Sequence, residues 1–289
     1  MGKLKLILFA RDFTPKVRAA WERIAEFLDQ QPDVHILTST VSGELELPEE
    51  EADVVLVLGG DGAILRACHQ LGQRQQPVLG INLGRLGFLA DLSPEELLQD
   101  FELIRSRNFR VVEHLMFECR LHRASGEQEV FLGLNEAAVR ASGLQMLDVN
   151  LRIDNEPVTT FSGDGLIVST PIGSTAHSLS AGGPLLQQSL QAFVVTPICP
   201  HSLANRPLVD HADRVFLLDV PNADAGATLV VDGQIRRSIF PEDYIEVRKA
   251  PVTFKMVRIP GHSYYAMLHR KLGWSGHTRA KATPPSERP

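Results

Sequence analysis

Strand-like and helix-like patterns of apolar residues alternate along the first third of the chain. Apolar runs at 4–10, 34–40 and 53–58 predict strands, and the third is apolar throughout, as is typical of a strand covered on both faces. Helical spacing follows Thr14-Pro15, a pair typical of a helix start, and returns after Gly62. Because strands and helices alternate, we expect a parallel sheet with helices on both faces.

Two more elements are predicted in this first part of the chain. The segment PVLGIN, residues 77–82, has the pattern of a fourth strand. The stretch Ser93-Pro94-Glu95-Glu96 has the pattern of a capping box, which predicts one continuous helix over 95–107.

From about residue 110 the apolar residues recur at every second position, which predicts β structure. The pairs Asp154-Asn155 and Asp232-Gly233 stand between apolar runs and predict turns, the second of them a hairpin. A helix-like pattern returns at 263–275, and we expect this helix to pack back on the first domain. The predicted β segments are 109–123, 130–142, 147–154, 158–161, 227–239, 243–250 and 252–259.

These patterns predict an α/β N-terminal domain, with a parallel sheet and helices on both faces, plus a mainly antiparallel all-β C-terminal domain. The expected division is 1–112, joined by the returning helix 263–275, and then 113–262. The polar, proline-rich residues 276–289 are expected to form a disordered tail.

Composition narrows the class of protein. The 289 residues are 44 % hydrophobic and 22 % charged, which indicates a folded chain of one large or two ordinary domains. A net charge of −6 gives no bulk attraction to nucleic acids or acidic membranes. The three cysteines are far apart in sequence, so reduced thiols are expected, and no apolar run approaches the roughly 20 residues of a membrane span. We expect a cytoplasmic protein.

A glycine-rich turn joins the third strand to the helix that follows it. Gly59, Gly60 and Gly62 leave backbone N–H groups uncovered at the positive end of that helix, an arrangement that binds anions. Asp61 would repel a phosphate there, so we expect it to act, either by holding Mg²⁺ or by taking a proton from an attacking hydroxyl. A plain turn with Asp61 as N-cap is the alternative.

Two shorter stretches have a binding and a structural interpretation each. Phe88, directly after the Gly84/Gly87 pair that follows the fourth strand, could stack on a base or simply fill the core. Asn135 and Glu136 interrupt apolar β structure, and their burial would require hydrogen-bond partners. An adenine edge and ribose hydroxyls would satisfy them, whereas an exposed strand end would need neither.

The segment 161–184 has the highest density of glycine and hydroxyl residues, which suits a polar ligand wrapped by backbone groups. Ser174, His177 and Asp164 suggest a hydrolase triad, but the paired glycines of a nucleophile elbow are missing. The other histidines lack metal-ligand spacing and are expected to be structural or exposed, among them His69, His201, His211 and His262.

The glycine turn at 59–62, the loop with Phe88, Asn135-Glu136, the segment 161–184 and the ending His-Arg-Lys-Leu-Gly-Trp274 follow one another along the chain. In this order they resemble bacterial NAD kinases, over residues 4 to 275. The 162–184 motif is specific, whereas the Gly-Gly-Asp-Gly turn also occurs in diacylglycerol, sphingosine and 6-phosphofructo-kinases. The resemblance implies transfer of a phosphoryl group from ATP, with Mg²⁺ carried by the ATP, to the adenosine-ribose 2′-hydroxyl of NAD. It also implies a homodimer or homotetramer.

The resemblance further implies a role for each matching position. Asp61 matches the catalytic base, and Gly59, Gly60 and Gly62 form the phosphate loop. The NAD contacts that it implies are Asp61 and Gly62, Phe88 beside adenine, Asn135 and Glu136 at adenine and ribose, Asp164 at the nicotinamide end, the segment Thr175, Ala176, His177, Ser178, Leu179 and Ser180, and Gln234.

The chain departs from the family pattern at four positions. His177 stands where Tyr is usual, Ser162 where many members have Arg, and Ile172 and Ala63 where Thr is usual. The missing Arg leads us to expect altered discrimination between NAD and NADH, and the donor, ATP or polyphosphate, stays open. A lipid kinase that shares the glycine turn and a non-catalytic dinucleotide sensor are the competing functions.

Overall fold

The computed structural model describes residues 2–84, 87–90, 92–261 and 264–273. The strands of these residues are β1 (Leu4–Ala10), β2 (Val34–Val41), β3 (Val54–Leu58), β4 (Val78–Ile81), β5 (Arg110–His122), β6 (Gln128–Gly133), β7 (Glu136–Ala141), β8 (Leu147–Ile153), β9 (Glu156–Gly163), β10 (Gly165–Ser169), β11 (Ala192–Ile198), β12 (Leu208–His211), β13 (Phe216–Asp219), β14 (Ala227–Val231), β15 (Ile235–Ile239) and β16 (Tyr244–Arg258). The α-helices are α1 (Pro15–Asp29), α2 (Asp61–Leu71), α3 (Pro94–Gln99), α4 (Phe101–Arg105), α5 (His177–Ser180) and α6 (Tyr264–Leu272).

The first four strands form a parallel sheet in the order β2-β1-β3-β4. Successive side chains of a strand point to opposite faces, and β1 shows the consequence. Leu6 and Leu8 pack with α1, α3 and α4 on one face, whereas Ile7 and Phe9 pack with α2 on the other. The predicted parallel sheet with helices on both faces is confirmed.

Helix starts in this part follow the sequence signals, but one predicted helix is wrong in its extent. Thr14 caps α1, with Pro15 in the first turn, and Ser93 and Glu96 form the reciprocal bonds of a capping box. The predicted continuous helix over 95–107 is instead two short helices, because Asp100 leaves the helical conformation at φ −97° and ψ 9°. Leu97 on α3 and Phe101 on α4 are both buried in the same cluster.

The C-terminal half adds a second sheet, antiparallel throughout, in the order β12-β11-β10-β7-β14-β15. Its inner face packs on β5, β8, β13 and β16 of the first sheet through one apolar cluster, in which Phe117, Phe193 and Phe216 are fully buried. The predicted mainly antiparallel β half is confirmed.

The two strands predicted at 243–250 and 252–259 form one long strand, so that prediction is wrong. In β16 the pairing with β5 shifts register between Lys249 and Thr253, where Pro251 has no N–H for the ladder. β16 also pairs with β13 and, at Met256, with β4. A ten-stranded sheet therefore runs through both halves. The expected boundary at residue 112 falls inside β5, and the division into domains stays a prediction.

Helix α6 follows β16, and its Met267 and Leu268 are buried. Lys271 places its ammonium nitrogen 5.1 Å from the ring centre of Phe88, so the helix lies over the loop that follows β4. Ser263 and residues 274–275 of the predicted helix, and the predicted disordered tail 276–289, lie outside the described residues. Among the helices described, none combines the length and the apolar character that crossing a membrane requires.

Candidate active site

The glycine turn lies at the carboxyl end of β3, where the helix α2 begins. Gly59 has φ +143°, a conformation that a side chain rarely allows, and Gly60 is the N-cap, so Asp61 is the first helical residue rather than the cap. A cavity of about 130 Å³ opens at this turn. Arg11, at the end of β1, lines it, and its Nη1 lies 2.9 Å from the place where a Cβ on Gly62 would stand.

The Asp61 carboxylate is held by the loop that follows β4. The backbone N–H of Phe88 donates to Oδ2 at 2.8 Å, and those of Leu89 and Ala90 donate to Oδ1 at 3.0 and 3.3 Å. A Cβ on Gly87 would stand 1.9 Å from Oδ1, so only glycine allows this loop to approach so closely. Two predicted site residues, Asp61 and Phe88, are thus brought together by main-chain hydrogen bonds.

The hydrogen bonds to Asp61 leave its carboxylate able to accept one more hydrogen bond. A carboxylate has about four acceptor positions, two on each oxygen. Donors among the described residues fill both positions on Oδ1 and one on Oδ2. One acceptor position on Oδ2 is left for a hydroxyl.

Asn135 and Glu136 stand at the start of β7, and both are buried, with exposed fractions of 9 % and 7 %. The interpretation as an exposed strand end is therefore wrong. Their backbone N–H groups donate to Oδ1 of Asp232 at 2.8 and 3.0 Å, and that of Leu134 donates to Oδ2 at 2.8 Å. One buried carboxylate of the β14–β15 turn therefore organises the whole Asn135-Glu136 segment.

Glu136 has a buried carboxyl oxygen, Oε2, that receives no hydrogen bond from the described residues. Burial, and then the nearby Asp232 carboxylate, raise the pKa of Glu136 to about 8. A buried carboxyl oxygen without a donor is costly, and a ligand hydroxyl would satisfy it.

The segment 173–180 forms a short 3₁₀ turn, Gly173–Thr175, followed by α5. Its buried hydroxyls serve the fold: Ser174 donates to the Pro171 carbonyl at 2.6 Å, Thr175 donates to a carbonyl of the preceding turn, and Ser178 bonds Thr196 at 2.9 Å. Ser174 is fully buried, which disfavours the hydrolase triad. The half-buried Ala176, His177 and Leu179 and the exposed Ser180 are the members left to meet a ligand.

A cavity of about 380 Å³ joins these stretches. Glu136 and His177 line it together with two cations that the sequence reasoning missed, Arg140 and Arg236. Neither arginine stands in a motif, and only the pairing of distant strands brings them together. Burial, and then Arg140, lower the pKa of His177, which leaves its imidazole neutral at pH 7. The remaining lining residues are Ala138, Ala141, Ser142, Thr228, Val230 and Gly233.

Asp164 lies at the other end of β7 from Glu136. Its carbonyl accepts the N–H of Ala141, five residues along the strand from Glu136 and hence roughly 16 Å away. Its carboxyl group accepts a hydrogen bond from the Cys199 thiol, and this bond raises the pKa of that thiol. The neighbouring Ser162 donates to Asp148. Asp164 and Glu136 therefore lie at the two ends of β7.

Gln234 connects the two halves, whereas Phe88 contacts Asp61 and α6. Gln234, just after the β14–β15 turn, donates from Nε2 to the Gly62 carbonyl at 3.3 Å. Phe88 is half-buried under the ammonium group of Lys271, so it is not a core residue, and its ring lies beside the Asp61 loop.

Comparison with known proteins assigns both parts of this arrangement. Residues 7–109 match the ATP-NAD kinase N-terminal domain, and residues 134–259 match the ATP-NAD kinase C-terminal domain. An NAD kinase of Rhodopirellula baltica is 44 % identical over 261 residues, 90 % of this chain and 83 % of the relative. An NAD kinase of Carboxydothermus hydrogenoformans is 40 % identical over 230 residues, 79 % and 82 % of the two chains.

Two solved structures are similar to the whole fold. The crystal structure of an NAD kinase from Archaeoglobus fulgidus in complex with ATP gives a TM-score of 0.74 at 28 % identity, covering 94 % of this chain and 100 % of that one. Yeast NADH kinase complexed with NADH gives 0.84 at 23 % identity, covering 98 % and 90 %, and this likeness concerns the fold alone.

The buried Glu136 makes the stability of the unliganded protein depend on pH. Its pKa is about 8 in the folded chain, against 4.5 ordinarily, so its contribution is complete below pH 4.5 and is lost as the pH rises through 8. We compare the free energy of unfolding of Glu136→Gln with that of the unchanged chain. From pH 5.5 to pH 8.5 we expect this difference to shift in favour of the variant by at most about 3 kcal/mol. Urea unfolding at both pH values measures this.

The exposed Glu127→Gln is the matched control and is expected to show no such change. A Glu136→Gln difference that stays constant between the two pH values would contradict the burial argument.

Proposed function

The chain belongs to the NAD kinase family, and on that premise we propose that it transfers the γ-phosphoryl group of ATP to the 2′-hydroxyl of the adenosine ribose of NAD, with Asp61 as the base. The observation that carries the proposal is the Asp61 carboxylate itself. Three backbone N–H groups hold it at the edge of an anion-binding turn, and one acceptor position stays free on Oδ2. That position suits a hydroxyl that loses its proton beside phosphates.

NAD occupies, in this proposal, the cavity along β7. Glu136 accepts a ribose hydroxyl at its unpartnered Oε2, and Asn135 reads the adenine edge. Arg140 and Arg236 face the negative pyrophosphate across the same cavity. The remaining contacts are those expected from the family: Gly62, Phe88, Asp164, Gln234 and the segment Thr175, Ala176, His177, Ser178, Leu179 and Ser180.

The extended shape of the site suits a dinucleotide. Asp164 lies roughly 16 Å along β7 from Glu136, so the nicotinamide end can reach it while the adenosine ribose stays at Glu136. Because their hydroxyls are already bonded within the fold, Ser178 and Thr175 contribute through their backbone groups.

ATP binds, in the same proposal, on the other side of Asp61. The backbone N–H groups of Gly59, Gly60 and Gly62 and the guanidinium of Arg11 meet its phosphates. A second cavity, of about 360 Å³, lies between α1 and the loop after β4 and has room for the nucleoside. Lys16, Arg23 and Asn82 line it, with Ala19, Ala20, Leu83, Gly84, Ser93, Pro94 and Glu95.

Mg²⁺ is proposed to arrive with the ATP phosphates. Of the carboxylates beside the turn, Asp61 is held by three backbone N–H groups. Asp12 forms an ion pair with Arg11 through Oδ2 at 3.7 Å, and its buried Oδ1 has no partner among the described residues. No group of three or more metal-binding side chains stands together among the described residues. The ion supplies charge neutralisation on the transferring phosphoryl group.

The chain's own residues then have separate tasks in the reaction. Asn135 and Glu136 hold the adenosine so that the 2′-hydroxyl meets Asp61, and Oδ2 takes the proton as the oxygen attacks. The N–H groups of the glycine turn and Arg11 stabilise the charge that develops on the phosphoryl oxygens. Orientation and charge supply the catalysis, because phosphoryl transfer needs little covalent chemistry from the protein.

The proposal extends to the setting of the enzyme. We propose a homodimer or homotetramer in the cytoplasm, with the chain divided into 1–112 and 113–262 as expected from the sequence. One assay separates this function from its competitors: purified chain, Mg-ATP and NAD, with NADP measured by a coupled dehydrogenase. A lipid kinase or a dinucleotide sensor would form no NADP.

Replacing the base is the direct test of Asp61. We expect Asp61→Asn to lower kcat by roughly 10²- to 10⁴-fold, because an amide cannot take the hydroxyl proton. NAD affinity, measured by calorimetry, stays within a few-fold of the original. The exposed Asp29→Asn is the control and keeps full activity. Near-normal turnover by Asp61→Asn would contradict the assignment.

The loop that holds Asp61 gives a second test. Gly87→Ala places a Cβ 1.9 Å from the Asp61 Oδ1, so the carboxylate or the loop has to move. We expect kcat to fall about tenfold or more, since displacements near 1 Å can cost 10²-fold. Gly2→Ala meets no atom within 4 Å, lies outside the cavities proposed for both substrates, and serves as the control for a new methyl group. Equal kcat values for both variants would show that the Gly87–Asp61 contact has no role in turnover.

Replacing Arg11 tests the proposed ATP site. We expect Arg11→Ala to raise KM for ATP about ten- to hundredfold, the worth of a hydrogen bond to a charged group, and to leave KM for NAD within about twofold. Arg18→Ala, on the exposed face of α1, is the matched control. An effect confined to NAD would refute the proposed orientation of the two substrates.

A further inference from the structure

The turn between β14 and β15 lies along α2 and contacts both of its ends. At the first turn of the helix, Gln234 Nε2 donates to the Gly62 carbonyl at 3.3 Å. At the last turn, His69 Nε2 lies 2.7 Å from Asp232 Oδ2, and since a carboxylate only accepts, the imidazole N–H is the donor. The two contacts are separated by roughly 10 Å of helix.

Asp232 connects this contact to the proposed acceptor site. Its side chain is fully buried, and its two oxygens accept the backbone N–H groups of Leu134, Asn135 and Glu136. Its own N–H donates to the Glu136 carbonyl at 2.9 Å. Asp232 therefore fixes the backbone of the Asn135-Glu136 segment, and His69 fixes Asp232 to the helix that begins with Asp61.

Apart from these two hydrogen bonds, the contact that the described residues show between α2 and the Asn135-Glu136 segment is apolar and without direction. Leu134 packs with Ala67, Cys68 and Leu71 of α2 in one cluster. Hydrophobic contact sets proximity but leaves small rotations and slides nearly free, whereas a charge-assisted hydrogen bond has a preferred distance and angle. The His69–Asp232 bond supplies that direction.

We propose that His69 and Asp232 are positioning residues for phosphoryl transfer: the His69–Asp232 bond sets the place of the Asn135-Glu136 segment relative to Asp61. The proposal rests on the proposed function, in which Asp61 is the base and Asn135-Glu136 hold the ribose. Its physical basis is that an attacking hydroxyl displaced by about 1 Å from its productive position relative to the base loses much of the rate. Neither side chain is required to touch a substrate.

The proposal separates binding from turnover, which a merely structural role would not do. In His69→Leu, Asp232 still holds the three N–H groups, so the NAD pocket stays formed. Its link to the last turn of α2 is lost, and the longer Gln234–Gly62 bond at the first turn remains. We expect kcat to fall ten- to hundredfold, with the dissociation constant for NAD, measured by calorimetry without ATP, within threefold.

Conservative variants give a second readout. His69→Gln places an amide N–H near the position of Nε2 and is expected to recover most of kcat, whereas His69→Asn is too short to reach Asp232 and is expected to behave like His69→Leu. The exposed His35→Leu on β2 is the matched control and keeps the original kcat. If His69→Leu fails to fold, the Gln and Asn pair makes the same comparison.

The outcomes are distinct. Recovery by Gln with loss in Leu and Asn, at unchanged NAD affinity, supports the proposal. Normal kcat in His69→Asn or His69→Leu overturns it, as does equal loss in Gln and Asn, or loss of NAD affinity together with kcat. Failure of the unchanged chain to form NADP from Mg-ATP and NAD is a separate result, which overturns the proposed function itself and with it this inference.

Discussion

A buried carboxylate that accepts backbone N–H groups organises this molecule. Asp232 accepts hydrogen bonds from the backbone N–H groups of Leu134, Asn135 and Glu136. It also accepts one from the His69 imidazole. Burying a charge is costly unless it is paired and hydrogen-bonded, and these four donors offset that cost. Once Asp232 is satisfied in this way, the break between β6 and β7 has one conformation, and the side chains of Asn135 and Glu136 take their places from it.

Asp61 is a second carboxylate that accepts backbone N–H groups, but its proposed role is catalytic. Its carboxylate also takes three backbone N–H groups, but it is only half-buried and keeps one acceptor position. The fully satisfied carboxylate is the structural one, and the incompletely satisfied one is placed for chemistry. Glu136 is the third carboxyl group of this region. One of its oxygens is buried and has no donor among the described residues, and we propose that this oxygen faces the ligand.

Local signals in the sequence predicted the parallel sheet, the Thr14 and Ser93 caps and the Asp232-Gly233 turn, because short-range geometry decides them. They missed the break at Asp100 and the continuity of β16 through Pro251, which depend on what each segment packs against. Asp61, Asn135 and Glu136 stand in motifs and were found. Arg11, Arg140 and Arg236 were not, because pairing of distant strands and loops alone brings them to the cavities. His69 was expected to be structural or exposed, and nothing in its sequence neighbourhood points to Asp232.

The single strand β16 also limits how the molecule can move. It pairs with β5 over almost its full length, with β13 near its start and with β4 at Met256, so both halves contribute strands to one sheet. A hinge rotation of one half against the other would break those hydrogen bonds. Any adjustment around substrates is therefore expected in the loops that border this sheet, while β5 and β16 stay paired.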